Sequence, residues 1–576
     1  VVTYTSVIDC WAKSGAPNAA ENVNKLLKNM IQMYQSDPIQ HASLKPNTKL
    51  FSTVINCWAK CRTTPNSARK AQDMLAEMKL LQIFPNTITY NTVIHAWAKS
   101  SSSGDDACQA VEEILRQMWF QSGTNLYAKP NVSTYIAVID CAARRSHAEK
   151  AESYLTEMME LYQSDPIRNA DLRPNSQVYN TVMNAYAKSG SAQKAQSILT
   201  RMEKEEHMAP NTVSYNTVLH SFAKSTGGLD AAIEAETILQ KMHLLSASEM
   251  PDVASYVAVI DCWAKSGTRN SGEKASSLLN DMIQLYQSDK IKYANLRPMT
   301  QVFNAVINAW AKSGAGVQAP MEAQALLSQM EDMRSRYGIL DIMPDTITYN
   351  TIITAWAKSR GGVDAALQAE KILHKMHQIY NAGNIHVKPN VKTYGSVIDC
   401  WANAAGTGLN DVAAEKAEQM LDDMIKLYQS DRIKYSDMAP NTQVINIVIN
   451  AFAISGGTAT AKAQKILTQM EKMYSEGVSE TKPDLITYNT VIKALAKSGG
   501  GVEAAKEAEM LLQKMYQLYN AGDSSIKPNF ATYTCVVLTW LNSGSDIAAD
   551  MGDRILADMM KMYQSDPILH ENLRPG

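Results

Sequence analysis

Of 576 residues only eight are cysteine, and no two of them form a CxxC pair. That spacing argues against a zinc site and against a disulfide framework, and a reducing compartment suits eight thiols best. No apolar run approaches the roughly eighteen residues needed to cross a bilayer, so a spanning helix is excluded. Neither sign of charge is in excess: 55 Lys and Arg stand against 57 Asp and Glu, a net charge of −2. The average therefore gives no hint of a polyanionic partner. Glycine (27) and proline (19) are sparse and never cluster into a linker or a low-complexity stretch. The chain opens Val1-Val2-Thr3-Tyr4 with no initiator Met, and any targeting peptide is expected to lie outside it. What is present, 45% hydrophobic and 19% charged, is the composition of an ordered protein. One compact core stops growing near about 250–300 residues, which leaves several domains or an elongated repeat array.

Periodicity decides for the array. One phrase recurs: VVTYTSVIDCWAKS from Val1, TITYNTVIHAWAKS from Thr87, TVSYNTVLHSFAKS from Thr212, TITYNTIITAWAKS from Thr346 and LITYNTVIKALAKS from Leu485. Every copy but the first follows Pro plus one residue, usually Asn or Asp. Cutting after that dipeptide gives thirteen repeats of 36 to 51 residues, starting at 1, 48, 87, 132, 176, 212, 253, 300, 346, 391, 442, 485 and 530. A second period lies on top. YQSDPI at Tyr34, Tyr162 and Tyr563, YQSDKI at Tyr286 and YQSDRI at Tyr428 mark every third repeat, so the array is four triplets plus one. Asp followed by Pro reads as a helix cap with Pro at the first helical position, which predicts a short extra turn in these tails.

Each repeat begins with a helix whose fourth, seventh, eighth and eleventh residues are apolar, as in Tyr90, Val93, Ile94 and Trp97. At about 100° per residue they form one stripe. Residues two, five, nine and thirteen, such as Ile88, Asn91, His95 and Lys99, fall nearly opposite. A second helix rich in Ala, Leu and Met, as from Ala369, suits packing between neighbours. Since one hairpin cannot bury its apolar face alone, the repeats must stack.

The words YNTVI, WAKS or AKS, and the closing Pro-Asn/Asp run through the whole chain, which resembles a pentatricopeptide repeat protein, although the repeats exceed that family's usual length of about 35 residues. The resemblance implies an all-α fold, a right-handed superhelical solenoid of helix-turn-helix repeats. Its first helices would line a groove for single-stranded RNA, one base per repeat.

The family's base-reading pair is the fifth and last residue of a repeat. Here the pairs are Thr5 with Asn47, Ser52 with Asn86, Asn91 with Asn131, Asn180 with Asn211, Asn216 with Asp252, Asn304 with Asp345, Asn350 with Asn390, Asn446 with Asp484 and Asn489 with Asn529. Ile136, Val257 and Gly395, in the first repeats of triplets, are apolar exceptions. Amides and hydroxyls supply donors and acceptors for a Watson–Crick edge. Helix capping by the Asn or Asp after Pro is the plainer role and does not account for a polar fifth residue inside the helix. By resemblance, Asn with Asp favours U, Asn with Asn a pyrimidine, and Thr or Ser with Asn favours A. The implied target is A-A-Y-n-Y-U-n-U-Y-n-U-Y-n, with Y a pyrimidine and n unspecified. At the second residue, where the family clamps bases, Val2, Ile88, Val213, Ile347 and Ile486 fit, whereas Lys49, Gln177, Gln301, Lys392 and Gln443 do not.

The thirteenth residue is Lys13, Lys60, Lys99, Arg144, Lys188, Lys224, Lys265, Lys312, Lys358 and Lys497 in ten repeats. A cation at a helix C-terminus also relieves the helix dipole. Yet the first fourteen residues of the repeats hold 14 Lys or Arg against 4 Asp or Glu, and the remainder 41 against 53. Positive charge is thus gathered on the first helices, which points to phosphate contact. If all ten cations met phosphates, log K against log salt would slope at roughly −7.

The eight tryptophans at the eleventh residue, Trp11 to Trp540, lie on the core stripe, so packing explains them better than base stacking. His374 and His377 lack a third ligand, and no metal or other cofactor is expected. No deaminase or nuclease extension accompanies the array, so enzymatic activity is not expected. The leading expectation is sequence-selective single-stranded RNA binding that acts by occlusion in transcript stabilisation, processing or translation. By family resemblance its place is an organelle, mitochondrion or plastid. The alternative is a scaffold subunit of a large assembly, with protein partners on the acidic outer face and the YQSD tails.

Overall fold

The computed structural model describes residues 2–14, 16, 18–61, 66–100, 104–205, 208–245, 249–337, 341–406, 410–455, 459–565 and 571–573. Val1, Gly576, the side chain of Val2 and residues 566–570 of the last YQSDPI copy lie outside the described residues. Among the described residues there are 26 α-helices and no strand: the fold is an all-α array of helix-turn-helix repeats. It divides into two compact units, Val1–Cys262 and Trp263–Gly576.

The start of each first helix is set by the Pro-Asn/Asp dipeptide. Asn86 has extended backbone, and its Oδ1 accepts from the Thr89 amide at 2.9 Å, satisfying one of the amides a helix start leaves unpaired. The same cap opens Thr48–Lys60, Val132–Arg144, Ser176–Lys188 and Thr212–Lys224 in the first unit. In the second it opens Thr346–Lys358, Val391–Ala404, Leu485–Lys497 and Phe530–Leu541. Met299, before Thr300–Lys312, cannot cap and does not. The first residue closes the repeat on itself. Thr87 Oγ1 donates toward the carbonyls of Tyr127 and Lys129, and Thr346 Oγ1 toward those of His386 and Lys388, at 2.8–3.0 Å.

In each unit the first helices of successive repeats pack side by side, and each second helix packs on the first helices of its own and the next repeat. The fourth, seventh, eighth and eleventh residues form the core: Tyr90, Val93, Ile94 and Trp97 in one repeat, Tyr349, Ile352, Ile353 and Trp356 in another, all buried. From the second helix come Ala369, Ile372, Leu373 and Met376. Seven of the eight eleventh-residue tryptophans are buried, and removing such a ring costs about 3–5 kcal/mol.

The triplet is structural as well as sequential. In three of the four triplets, where the third repeat meets the second before it, one glutamate joins a tyrosine and a lysine; in the first triplet Tyr90 donates to Gln121 instead. Glu203 takes the Tyr215 hydroxyl and Lys241, Glu331 takes Tyr349 and Lys375, and Glu471 takes Tyr488 and Lys514. In the tails, the carboxylates of Asp37, Asp165, Asp289 and Asp431 accept from backbone amides two or three residues on, and a single helical turn follows in each. The copies with Lys290 and Arg432 make the same turn, so the aspartate sets it and Pro is dispensable.

Candidate nucleic-acid interface

Within each unit three lines of side chains run along the packed first helices. At the helix N-terminal end are the fifth and last residues. The structure hydrogen-bonds five of these pairs to one another through the Asn Nδ2: Asn216 to Asp252 at 3.0 Å, Asn304 to Asp345 at 3.3 Å, Asn350 to Asn390 at 3.3 Å, Asn446 to Asp484 at 3.2 Å and Asn489 to Asn529 at 3.5 Å. No such bond joins Asn91 to Asn131 or Asn180 to Asn211 among the described residues, and Ser52 bonds Thr89 instead at 2.8 Å. The accepting atom is the Oδ1 that also caps the next helix; Asp252 Oδ1 takes the Ser255 amide at 2.9 Å as well. Capping therefore occupies one polar atom of the last residue. The other, a carboxylate oxygen in Asp252, Asp345 and Asp484 and an amide nitrogen in Asn47, Asn86, Asn131, Asn175, Asn211, Asn390, Asn441 and Asn529, makes no hydrogen bond among the described residues.

Beside this line stand the second residues. Ile88, Val213, Ile347 and Ile486 are 69%, 60%, 63% and 62% exposed, apolar surfaces left bare on helices whose opposite face is buried. Lys49, Gln177, Gln301, Lys392 and Gln443 are exposed at the same place.

The third line, eleven residues further on and so about 16 Å along the helix, is the thirteenth residue. Lys13, Lys60, Lys99, Arg144, Lys188, Lys224, Lys265, Lys312, Lys358 and Lys497 are all exposed. Some of them are neutralised within their own helix: Lys13 pairs with Asp9 at 2.6 Å and Arg144 with Asp140 at 2.8 Å. His95, on the same face, has its pKa lowered by burial and then by the cations Lys99 and Arg144, so at neutral pH it adds no charge. Asp399 is pushed the other way, upward, by burial.

Family models match five stretches of the chain: a PPR repeat family at 174–224, a pentatricopeptide repeat domain at 334–404, and a PPR repeat at 2–23, 133–162 and 486–518. Pentatricopeptide repeats are thus matched at these five stretches. A pentatricopeptide repeat-containing protein of Arabidopsis thaliana is 31% identical over 83 residues, which is 14% of this chain and 9% of that relative's length. The maize pentatricopeptide repeat protein PPR10 has a similar structure, at 20% identity and a TM-score of 0.46 over 97% of this chain and 74% of its own. The same protein in complex with an 18-nt psaJ RNA element gives 19% and 0.46 over the same shares.

The first helices use one more residue, the third. Its hydroxyl is fully buried in Thr89, Thr134, Ser214, Ser255, Thr348, Thr393, Thr487 and Thr532. In four places it reaches back to the fifth residue of the preceding repeat, once to a hydroxyl, Thr89 Oγ1 with Ser52 Oγ at 2.8 Å, and three times to an amide. Ser255, Thr348 and Thr393 lie 2.6–2.7 Å from the Oδ1 atoms of Asn216, Asn304 and Asn350. The amide is then held at both ends, by the third residue and by the cap, and Asn350 is only 4% exposed. For Asn91, Asn180, Asn446 and Asn489 the Oδ1 is buried without a partner. The signal was the Thr or Ser of the recurring TYN phrase.

The middle repeat of each triplet has Leu50, Val178, Val302 or Val444 as its third residue. The preceding fifth residues are Thr5, Ile136, Val257 and Gly395, three of them apolar. Apart from Ser52, which faces the Thr89 hydroxyl with a hydroxyl of its own, a hydroxyl in the next helix and an amide in this one therefore occur together.

Proposed function

We propose that this chain is a sequence-selective single-stranded RNA-binding protein that acts by occlusion, covering a transcript segment without chemistry of its own. One observation carries the reading: at successive repeats an amide is tethered to a capping residue that keeps one polar atom uncommitted. Where that atom is a carboxylate oxygen it suits a base edge that donates, such as uracil N3–H. Where it is an amide nitrogen it suits an acceptor. The exposed Ile and Val of the second residues supply apolar contact for base faces, and the exposed cations supply phosphate contacts. The RNA complex of maize PPR10 concerns a protein of the same repeat type. Family resemblance supports an organelle, mitochondrion or plastid, as the place where stabilisation, processing or translation of a transcript would depend on this cover.

Selection from a randomised RNA pool tests the reading. The expected consensus, in chain order, is A-A-Y-n-Y-U-n-U-Y-n-U-Y-n; a pool that returns no pyrimidine-rich core contradicts it.

A second reading, a scaffold subunit of a large assembly, is favoured by Ile39, Ile167, Ile291 and Ile433. Each is about nine-tenths exposed on its YQSD turn. Capture of protein partners that is lost when these four are changed to Ser, together with binding to RNA that is insensitive to salt, would favour it.

A further inference from the structure

Three repeats carry the same fifth and last residues: Asn216 with Asp252, Asn304 with Asp345 and Asn446 with Asp484. In each the Asn Nδ2 donates to the carboxylate Oδ1 at 3.0–3.3 Å, so by these two residues the sixth, eighth and eleventh repeats are equal. The amide oxygens are not equal. Asn216 Oδ1 takes the Ser255 hydroxyl at 2.6 Å and Asn304 Oδ1 the Thr348 hydroxyl at 2.7 Å, each from the third residue of the next repeat. Thr487 stands at the corresponding place, but its hydroxyl turns to Asp484 at 2.9 Å, and Asn446 Oδ1 is buried with no partner. The Asn–Asn pairs divide in the same way. Asn350 Oδ1 takes the Thr393 hydroxyl at 2.6 Å, whereas the Oδ1 atoms of Asn91, Asn180 and Asn489 are buried without one.

A hydroxyl has a single hydrogen to give. In Ser255, Thr348 and Thr393 the amide oxygen is nearer than the capping oxygen, which lies 2.9–3.1 Å away. The backbone amide of the last residue donates to the same hydroxyl at 3.0–3.1 Å, which occupies its oxygen and leaves its hydrogen for the side-chain amide. At the other end Asp252 Oδ1 only accepts, and it already takes the Ser255 backbone amide. Asn216 must therefore show it nitrogen, because turned over it would set oxygen against oxygen. That leaves the amide oxygen inside, where a missing partner costs about 1–3 kcal/mol and the Ser255 hydroxyl removes the cost. With both ends committed, the group left for a base is the second hydrogen of Nδ2, a donor. A fixed donor beside a free carboxylate oxygen matches the carbonyl and N3–H of uracil. An amide that can turn over offers its oxygen as well and tolerates the amino group of cytosine.

We propose, on the base reading stated above, that the third residue of each following repeat is a positioning residue for base selection. One base is then set by three residues drawn from two repeats. Selection is sharper at the sixth and eighth repeats than at the eleventh, and sharper at the ninth than at the third, fifth and twelfth.

Affinities of the full chain for RNA oligonucleotides that differ only in U or C at one position test this without any substitution. The U-over-C ratio at the sixth and eighth nucleotides should exceed that at the eleventh by about threefold, the worth of one hydrogen bond. Ser255→Ala should lower the ratio at the sixth nucleotide by about threefold and leave that at the eighth unchanged. Ser255→Thr, which installs the residue type of Thr348 and Thr393, should restore it. Loss of helix capping alone would weaken binding to U and C alike, so the ratio separates positioning from support. Equal ratios at all three positions in the unsubstituted chain, a Ser255→Ala loss shared equally by both RNAs, or no restoration by Ser255→Thr overturns the proposal. Base reading itself stands in those cases if Asp252→Asn still relaxes the sixth base. A chain with no U preference at any of the three positions overturns both.

Discussion

A Cβ on Gly395 would stand 3.0 Å from the Val444 Cγ2 methyl, closer than the packing of that interface admits. Gly395 is the fifth residue of its repeat, and Val444 is the third residue of the next. The place that holds an amide against a hydroxyl in Asn350 and Thr393 is here filled by a methyl. Gly395→Asn should therefore cost about 1–3 kcal/mol of stability by overpacking and by facing an amide with an apolar group. Val444→Thr keeps the bulk but offers a hydroxyl in place of a methyl, the arrangement of Thr393 and Asn350. In the double variant most of the stability returns, with a coupling of about 1 kcal/mol or more in a denaturation cycle, and the tenth nucleotide becomes selected for a pyrimidine. Purely additive losses would show that third and fifth residues do not form a unit.

Ion pairs inside first helices lower the salt dependence that a count of cations predicts. With Lys13 held by Asp9 and Arg144 by Asp140, at most eight of the ten cations meet phosphates, and the slope of log K against log salt becomes shallower than roughly −7. Asp140→Ala frees Arg144 and should strengthen binding to every RNA alike while steepening the slope by about 0.7. Lys224→Ala should do the reverse by the same amount. Binding titrations at four salt concentrations measure both; a slope that neither variant moves contradicts phosphate contact along this line.

His377 Nε2 lies 2.9 Å from the Tyr394 hydroxyl across a repeat boundary. Burial, and then the neighbouring His374, lower its pKa. The folded chain thus resists a proton that the unfolded chain accepts. The contribution to stability is complete above the ordinary histidine value near 6.5 and is lost as pH falls from there through the folded value. The corresponding residue at the next triplet is Tyr516, which meets Tyr533 without a titrating imidazole. His377→Tyr should flatten the fall in melting temperature between pH 7 and 5. Parallel melting curves for the two proteins would remove His377 from the account.

Local chemistry was legible before any coordinates. The Pro-Asn and Pro-Asp dipeptides announced where helices start, Tyr90, Val93, Ile94 and Trp97 announced the buried stripe, and Asp37 announced the turn in the tail. Each depends on residues within one or two helical turns. What stayed hidden joins residues some forty positions apart. The Thr348 hydroxyl reaches Asn304 in the repeat before it, and no spacing within one repeat shows that. The Asp140–Arg144 pair was one helical turn away and visible. A sum of charges by class hides it, because the pairing depends on where each charge stands on the helix.

Asp252 tests the central claim most directly. Its Oδ1 accepts from the Ser255 amide and from Asn216 Nδ2, a duty that an asparagine oxygen performs equally well. Asp252→Asn therefore leaves the helix cap and the fold in place and changes only the uncommitted atom, from an acceptor to a donor. Affinities measured with paired oligonucleotides carrying U or C at the sixth position should show the U preference relaxing toward C by about 1 kcal/mol, roughly fivefold, with overall binding nearly unchanged. Equal losses on both RNAs would mean that Asp252 caps a helix and reads nothing.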